Sequence, residues 1–322
     1  MKKFILVLLS VLSVIFYSCN EDFNPYGEFK EEYDFTCILK SDDTFQVAYL
    51  SHGYRPPGVD PYENTTDPSI TDSDIRVWYD NSVYVFRDTV LERNDTSRYK
   101  TPVHCYYCNQ FAVKNNQSIE VEVLLSNGKR LKSSSKTPGE VYFDSESETL
   151  VPPENNGNVL FIWNQVGKEN IYLGALTMKY WQNVNGEMIE KTKIIPSQYV
   201  ISNNVDTPIY PAASSYPSTY YEVSAITKAL QEISEGDPNK QNYTIYARLS
   251  FDLIAYDLPA SKYVSSVSGS VDDLTVSESV ADYTNIEGGF GIFGSYTKKK
   301  YDNLVFSKSY IQSFGYNIVN VN

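Results

Sequence analysis

His104-Cys105-Tyr106-Tyr107-Cys108 is the stretch richest in reactive groups, two thiols three positions apart beside an imidazole. A c-type haem attachment needs histidine directly after the second cysteine, where Asn109 stands. A thioredoxin-like dithiol sits where a strand feeds a helix, and no helical pattern follows here. Cys37, His52, His104, Cys105 and Cys108 form a donor set of the kind zinc accepts. Strong zinc signatures come as two close pairs, whereas Cys37 and His52 each stand apart, so no metal is expected. A disulfide in an oxidising compartment is the simpler chemistry. An extended strand rises ~3.3 Å per residue, so Cys105 and Cys108 lie roughly 10 Å apart unless the chain turns between them. Cys37 paired with either of them is an equal alternative, and three thiols leave one unpaired.

Gly289-Phe290-Gly291-Ile292-Phe293-Gly294 matches the G-x-G-x-x-G dinucleotide pattern. That pattern works only between a strand and a helix in a βαβ unit, with an acidic residue about 20 positions on. The residues after Gly294 read as strand and turn, so the glycines are expected to let aromatic strands pack closely or bulge. Hydrolase chemistry has little to draw on, with His52 and His104 as the only histidines and no G-x-S-x-G elbow. With 40 acidic residues, any particular carboxylate pair is uninformative as a glycosidase signature. Asp72, Asp74 and Asp80 lack the D-x-D-x-D-G loop of a calcium site and read as a solvated acidic stretch. The expectation is a protein without catalytic residues or cofactor. Its 28 tyrosines suit both β-strands and binding surfaces, because a phenol ring offers apolar area with a polar tip.

The N-terminus bears on location. Lys2 and Lys3 precede an apolar run from Phe4 to Phe16, broken only by Ser10 and Ser13, which reads as a signal peptide over residues 1–18. Phe16-Tyr17-Ser18-Cys19 resembles the lipobox of bacterial lipoproteins, with Phe16 where Leu is commoner. The resemblance implies cleavage before Cys19 and its lipidation; a plain secretory signal is the alternative. Acyl chains contribute ~0.8 kcal/mol per buried methylene, so a multiply acylated cysteine anchors a protein without a spanning helix. Asn20, Glu21 and Asp22 resemble the acidic signal that sends lipoproteins of Bacteroidota-type bacteria to the cell surface. Display on the outer face of the outer membrane is therefore expected, with a periplasm-facing anchor as the alternative. The 27 basic and 40 acidic side chains give a net charge of −13, which argues against nucleic acid as a partner.

The elements that must position any site read as β. Residues 19–34 form an acidic tether, 35–138 a first β-sandwich and 139–322 a second β-rich domain, the sandwiches being immunoglobulin-like or fibronectin-like. In the first, 35–39 and 45–50 pair around Asp42-Asp43, and Asp80-Asn81 joins two strands. Asn127-Gly128 closes another hairpin. Ile75, Val77 and Tyr79 alternate with polar neighbours except at Trp78. In the second, strands at 159–163, 171–181 and 188–195 are expected to form a meander with a turn at Asn185-Gly186. Strands are also expected at 243–256 and 304–314. One helix is expected near 219–235, from the spacing of Val223, Ile226, Leu230 and Ile233 and a capping-box pattern at Thr219 and Glu222; a second spans about 259–267.

The lipobox, the acidic follow-on, a first sandwich ending in Thr137-Pro138 and the run from Asn285 to Gly294 together resemble a Bacteroidota surface-lipoprotein family of unknown function. Cys105 and Cys108 depart from its pattern. The resemblance implies a transport accessory to a TonB-dependent outer-membrane receptor and supplies no site residues; together with the anchor and the missing catalytic sets, the expected role is non-catalytic binding, of a glycan or a protein. An adhesin or structural surface protein is the first alternative, and a secreted carbohydrate-active enzyme the second.

Overall fold

The computed structural model describes residues 31–53, 64–154, 157–202, 205–268 and 283–319. The signal segment, Cys19 and most of the tether lie outside them. Strands account for 51% and helices for 11%, so the chain is mainly β, of the β-sandwich type.

The first half is built from local hairpins. β1 (Tyr33–Lys40) pairs antiparallel with β2 (Gln46–His52), with Cys37 opposite Ala48. β3 (Asp74–Tyr79) and β4 (Ser82–Leu91) meet through Asp80 and Asn81, whose φ values of 50° and 57° give the two-residue turn that matches strand twist. β5 (Val103–Cys108) lies between β2 and β4. β6 (Ser118–Leu124) pairs with both β3 and β7 (Arg130–Lys136). Alternation buries one face of β1, β2, β3 and β6, β5 is buried on both faces, and Phe35, Leu50, Ile75, Val77, Val121 and Leu131 contribute to one core.

The second half starts with β8 (Leu150–Val151), β9 (Asn158–Ile162), β10 (Tyr172–Val184) and β11 (Glu187–Ile195). β10 and β11 form the expected hairpin, turning at Asn185 and Gly186. β12 (Gln198–Ser202) and β13 (Val205–Ile209) make a separate ribbon. β14 (Ser218–Glu222) runs straight into α1 (Val223–Glu232). Then come β15 (Tyr243–Tyr256), α2 (Leu258–Ser268), β16 (Phe290–Tyr301), β17 (Val305–Phe306), α3 (Lys308–Ser313) and β18 (Asn317–Val319).

Three expectations are corrected. β9 does not join the β10–β11 meander but pairs with β14, and this small sheet lies over β10 and β15 with Phe161 stacked on Phe251, ring centroids 4.0 Å apart. The helix begins at Val223 rather than near 219, because Thr219 and Tyr221 are paired strand residues and Glu222 caps nothing with its side chain. Tyr221 is fully buried and its hydroxyl bonds the Leu176 amide at 3.1 Å, a tertiary anchor that overrides the capping pattern. Residues 304–314 are not one strand. Only Val305–Phe306 are extended, and Tyr310, Ile311 and Phe314 recur at helical spacing around α3.

Buried apolar residues from 33 to 131 form one core and those from 141 to 316 another, with Ile286 and Phe293 crossing into the first. The sheet itself is continuous, because β16 pairs antiparallel with β15 through its second half and parallel with β1 through its first. The glycines around Phe290 permit this. Gly291 has φ +102°, and a Cβ there would lie 2.2 Å from the Phe35 carbonyl oxygen. At Gly294 a Cβ would lie 2.9 Å from an Asp257 carboxylate oxygen and 3.0 Å from Ala260. The G-x-G-x-x-G run is thus a close-packing device in a strand.

Candidate binding groove

The outward face of β3, β6 and β7 presents side chains in two cross-strand rows. Trp78 stands opposite Val83 on one side and Glu120 on the other, and Glu120 stands opposite Ser134. In the next row Arg76 stands opposite Glu122, and Glu122 opposite Lys132. Past β7 the sheet gains an irregular rim: Lys132 and Glu287 exchange backbone hydrogen bonds at 3.1 and 2.8 Å, and Ser133 donates to the Asn285 carbonyl at 2.8 Å. The Asn285 side chain in turn holds the backbone of Phe293 through bonds of 2.9 and 2.7 Å, fixing the rim to β16.

Between Trp78 and this rim runs a groove of about 570 Å³, and a depression of about 280 Å³ adjoins it through Trp78 and Glu122. The volume falls in the range of small-molecule and oligomer sites. Arg130 pairs with Glu122 at 2.8 Å, Lys132 with the other oxygen of Glu122 at 3.4 Å, and Arg76 with Asp74 at 2.7 Å. Such exposed pairs are worth ~0–1 kcal/mol each, so they order the side chains more than they stabilise the fold. Among the described residues no ion pair engages Glu120 or Glu287, and no aromatic ring stacks on Trp78, which is 37% exposed. A flat indole bordered by free carboxylates, an ammonium and hydroxyls suits an extended polar chain with apolar faces.

The sequence-derived candidates lie elsewhere. Cys37, Cys105 and Cys108 are free, buried thiols, which corrects the expected disulfide. β5 does not turn between Cys105 and Cys108, so the two side chains point to opposite faces of the strand, and β2 intervenes between β5 and the strand that carries Cys37. Burial pushes all three thiols above the ordinary cysteine value, which keeps them protonated and unreactive. His52 contacts the Gly53 carbonyl at 2.9 Å and His104 sits 3.3 Å from Asp88, so the imidazoles serve separate strands. Among the described residues no group of three or more His, Cys, Asp or Glu side chains is placed to hold a metal. Asp74 and Asp80 turn to different cations, Arg76 and Lys114. Cys19 lies outside the described residues. The sequence signal for the groove was the break in alternation at Trp78, an aromatic on the polar face of its strand.

No protein-family model matches the chain, and no curated protein matches it. Among the described residues no helix is long and apolar enough to cross a membrane.

Proposed function

We propose that the chain is a surface-displayed outer-membrane lipoprotein, anchored through Cys19, that binds a ligand on the outward face of β3, β6 and β7 without transforming it. Its partner in this reading is a TonB-dependent receptor, to which it presents the captured ligand. The family-like features of the sequence support the address and the partner: the lipobox, the acidic residues after it and the Asn285–Gly294 run. The binding role rests on one observation, the exposed Trp78 platform between free carboxylates and a structured rim. An extended glycan fits that surface, because a sugar ring lays its C–H face on an indole while its hydroxyls meet carboxylate, ammonium and serine groups.

The test is a pull-down of the tagged full-length protein from its own outer membranes, coupled to a glycan array probed with wild type and W78A. A stoichiometric barrel receptor and a glycan signal that disappears in W78A support the reading. Recovery of the lipoprotein alone overturns the accessory role, and an array signal that W78A leaves intact overturns the groove.

A second reading, an adhesin, is favoured by the β12–β13 ribbon. One face of it exposes Val200, Val205 and Ile209, at 40%, 63% and 36%, and the other exposes Ile201. Apolar side chains grouped on one exposed face in this way commonly mark a protein contact.

A further inference from the structure

A second pocket, of about 380 Å³, opens where the two halves of the sheet are spliced. The parallel register sets Asp34 of β1 opposite Phe290 of β16, so both side chains project from the same face. Glycines on both sides of Phe290 let the strand pass close to β1, and Phe290 remains 48% exposed. α2 lies against β16 and brings Tyr263 to the wall, while Tyr283 and Thr284 enter from the segment that leads into the strand. The lining thus combines the carboxylates of Glu32 and Asp34 with the aromatic residues Tyr33, Tyr263, Tyr283 and Phe290.

Asp34 has no counter-ion among the described residues, and its recorded hydrogen bond comes from the Thr36 hydroxyl at 3.3 Å. The residue is accessible through the pocket mouth, yet the walls strip enough hydration to raise its carboxyl above the ordinary aspartate value. Burial and the charge of Asp34 also raise the Tyr263 phenol, and Tyr283 responds in the same way to burial and to Asp257. The pocket thus sets a partly desolvated carboxylate beside aromatic side chains. Neutral and anionic ligands gain nothing from such a field. A cation gains from the carboxylate and from the rings together. One cation–ring contact is already formed there, with Lys262 Nζ 5.9 Å from the centroid of Tyr283.

We propose that the pocket formed by Asp34, Tyr263, Tyr283 and Phe290 binds a small organic ammonium ion. The site is separate from the Trp78 groove and does not depend on the function proposed for that groove. A compact alkylated nitrogen fits the volume, its methyl or methylene groups against the rings and its charge toward Asp34.

The experiment uses the detergent-solubilised full chain, titrated calorimetrically with choline and with 3,3-dimethylbutan-1-ol, which has the same shape with carbon in place of the charged nitrogen. Choline is expected to bind saturably and the neutral compound to fail. D34N and F290A are each expected to weaken choline by about ten-fold or more, while W78A leaves it unchanged. Both pocket variants alter accessible side chains, and melting curves are recorded to check that each folds. Absence of saturable choline binding, equal binding of the neutral isostere, or full affinity in D34N and F290A overturns the proposal.

Discussion

The hydroxyl of Ser135 donates a 2.8 Å hydrogen bond to the carboxylate of Asp257, 122 positions away in sequence. Ser135 belongs to β7 of the first half, and Asp257 caps α2 by accepting the Ala260 amide at 2.9 Å. Ser295 of β16 adds a further hydroxyl donor at 2.8 Å. One carboxylate thus ties a strand, a helix start and the splicing strand together.

Burial raises the Asp257 carboxyl to about 6, against the pull of its hydrogen bonds. A folded-state value above the unfolded one means that the folded protein binds more protons between the two. The contribution is then fully present below about pH 4 and is lost as pH rises through 6, on the order of 3 kcal/mol in all. Melting temperature is expected to fall between pH 4.5 and 7.5 by more in wild type than in D257N. Identical pH profiles for the two proteins would contradict this.

G291A should be among the most disruptive single-methyl additions in the chain. Its Cβ would meet the Phe35 carbonyl at 2.2 Å from a left-handed backbone, in the register that holds β1 to β16. A loss of more than about 3 kcal/mol is expected. Gly128 shares the positive φ, at +83°, but has open space around it, so G128A should cost only about 1 kcal/mol. Chemical denaturation of the pair separates steric clash from backbone strain.

Truncating Trp78 should abolish glycan retention while changing stability by no more than about 1 kcal/mol, since the side chain stands on the outer face of its sheet. Urea unfolding beside the array measurement checks both halves of that statement.

Because Cys37, Cys105 and Cys108 are buried and protonated, an alkylating reagent should leave them unmodified in the native protein and label all three in denaturant. Peptide mass spectrometry reads the result directly. A linked pair of peptides from the unreduced native protein would restore the disulfide that the strand geometry argues against.

Features that depend on neighbours in sequence were legible without the structure. The turns at Asp80-Asn81 and Asn185-Gly186 need residues that tolerate positive φ, and the strands beside them need alternation, so both are written in a few consecutive letters. The same locality made Val223–Glu232 readable as helix while misplacing its start, because pairing with β9 and burial of Tyr221 are not local facts. Trp78 stood out as an irregularity, but the chain around it carries no trace of the rim at Asn285 and Glu287 that makes a groove of it.

Sequence alone determined that this is an acidic, mainly β chain, because composition, period and turn chemistry report short-range preference. Tertiary structure decided that β16 splices two cores into one sheet, that three cysteines lie on strands and faces which keep them apart, and that Asp34 shares a pocket with Tyr263, Tyr283 and Phe290. Those outcomes depend on contacts between residues up to about 250 positions apart, whose pairing is set by burial and close approach of backbones rather than by any local pattern.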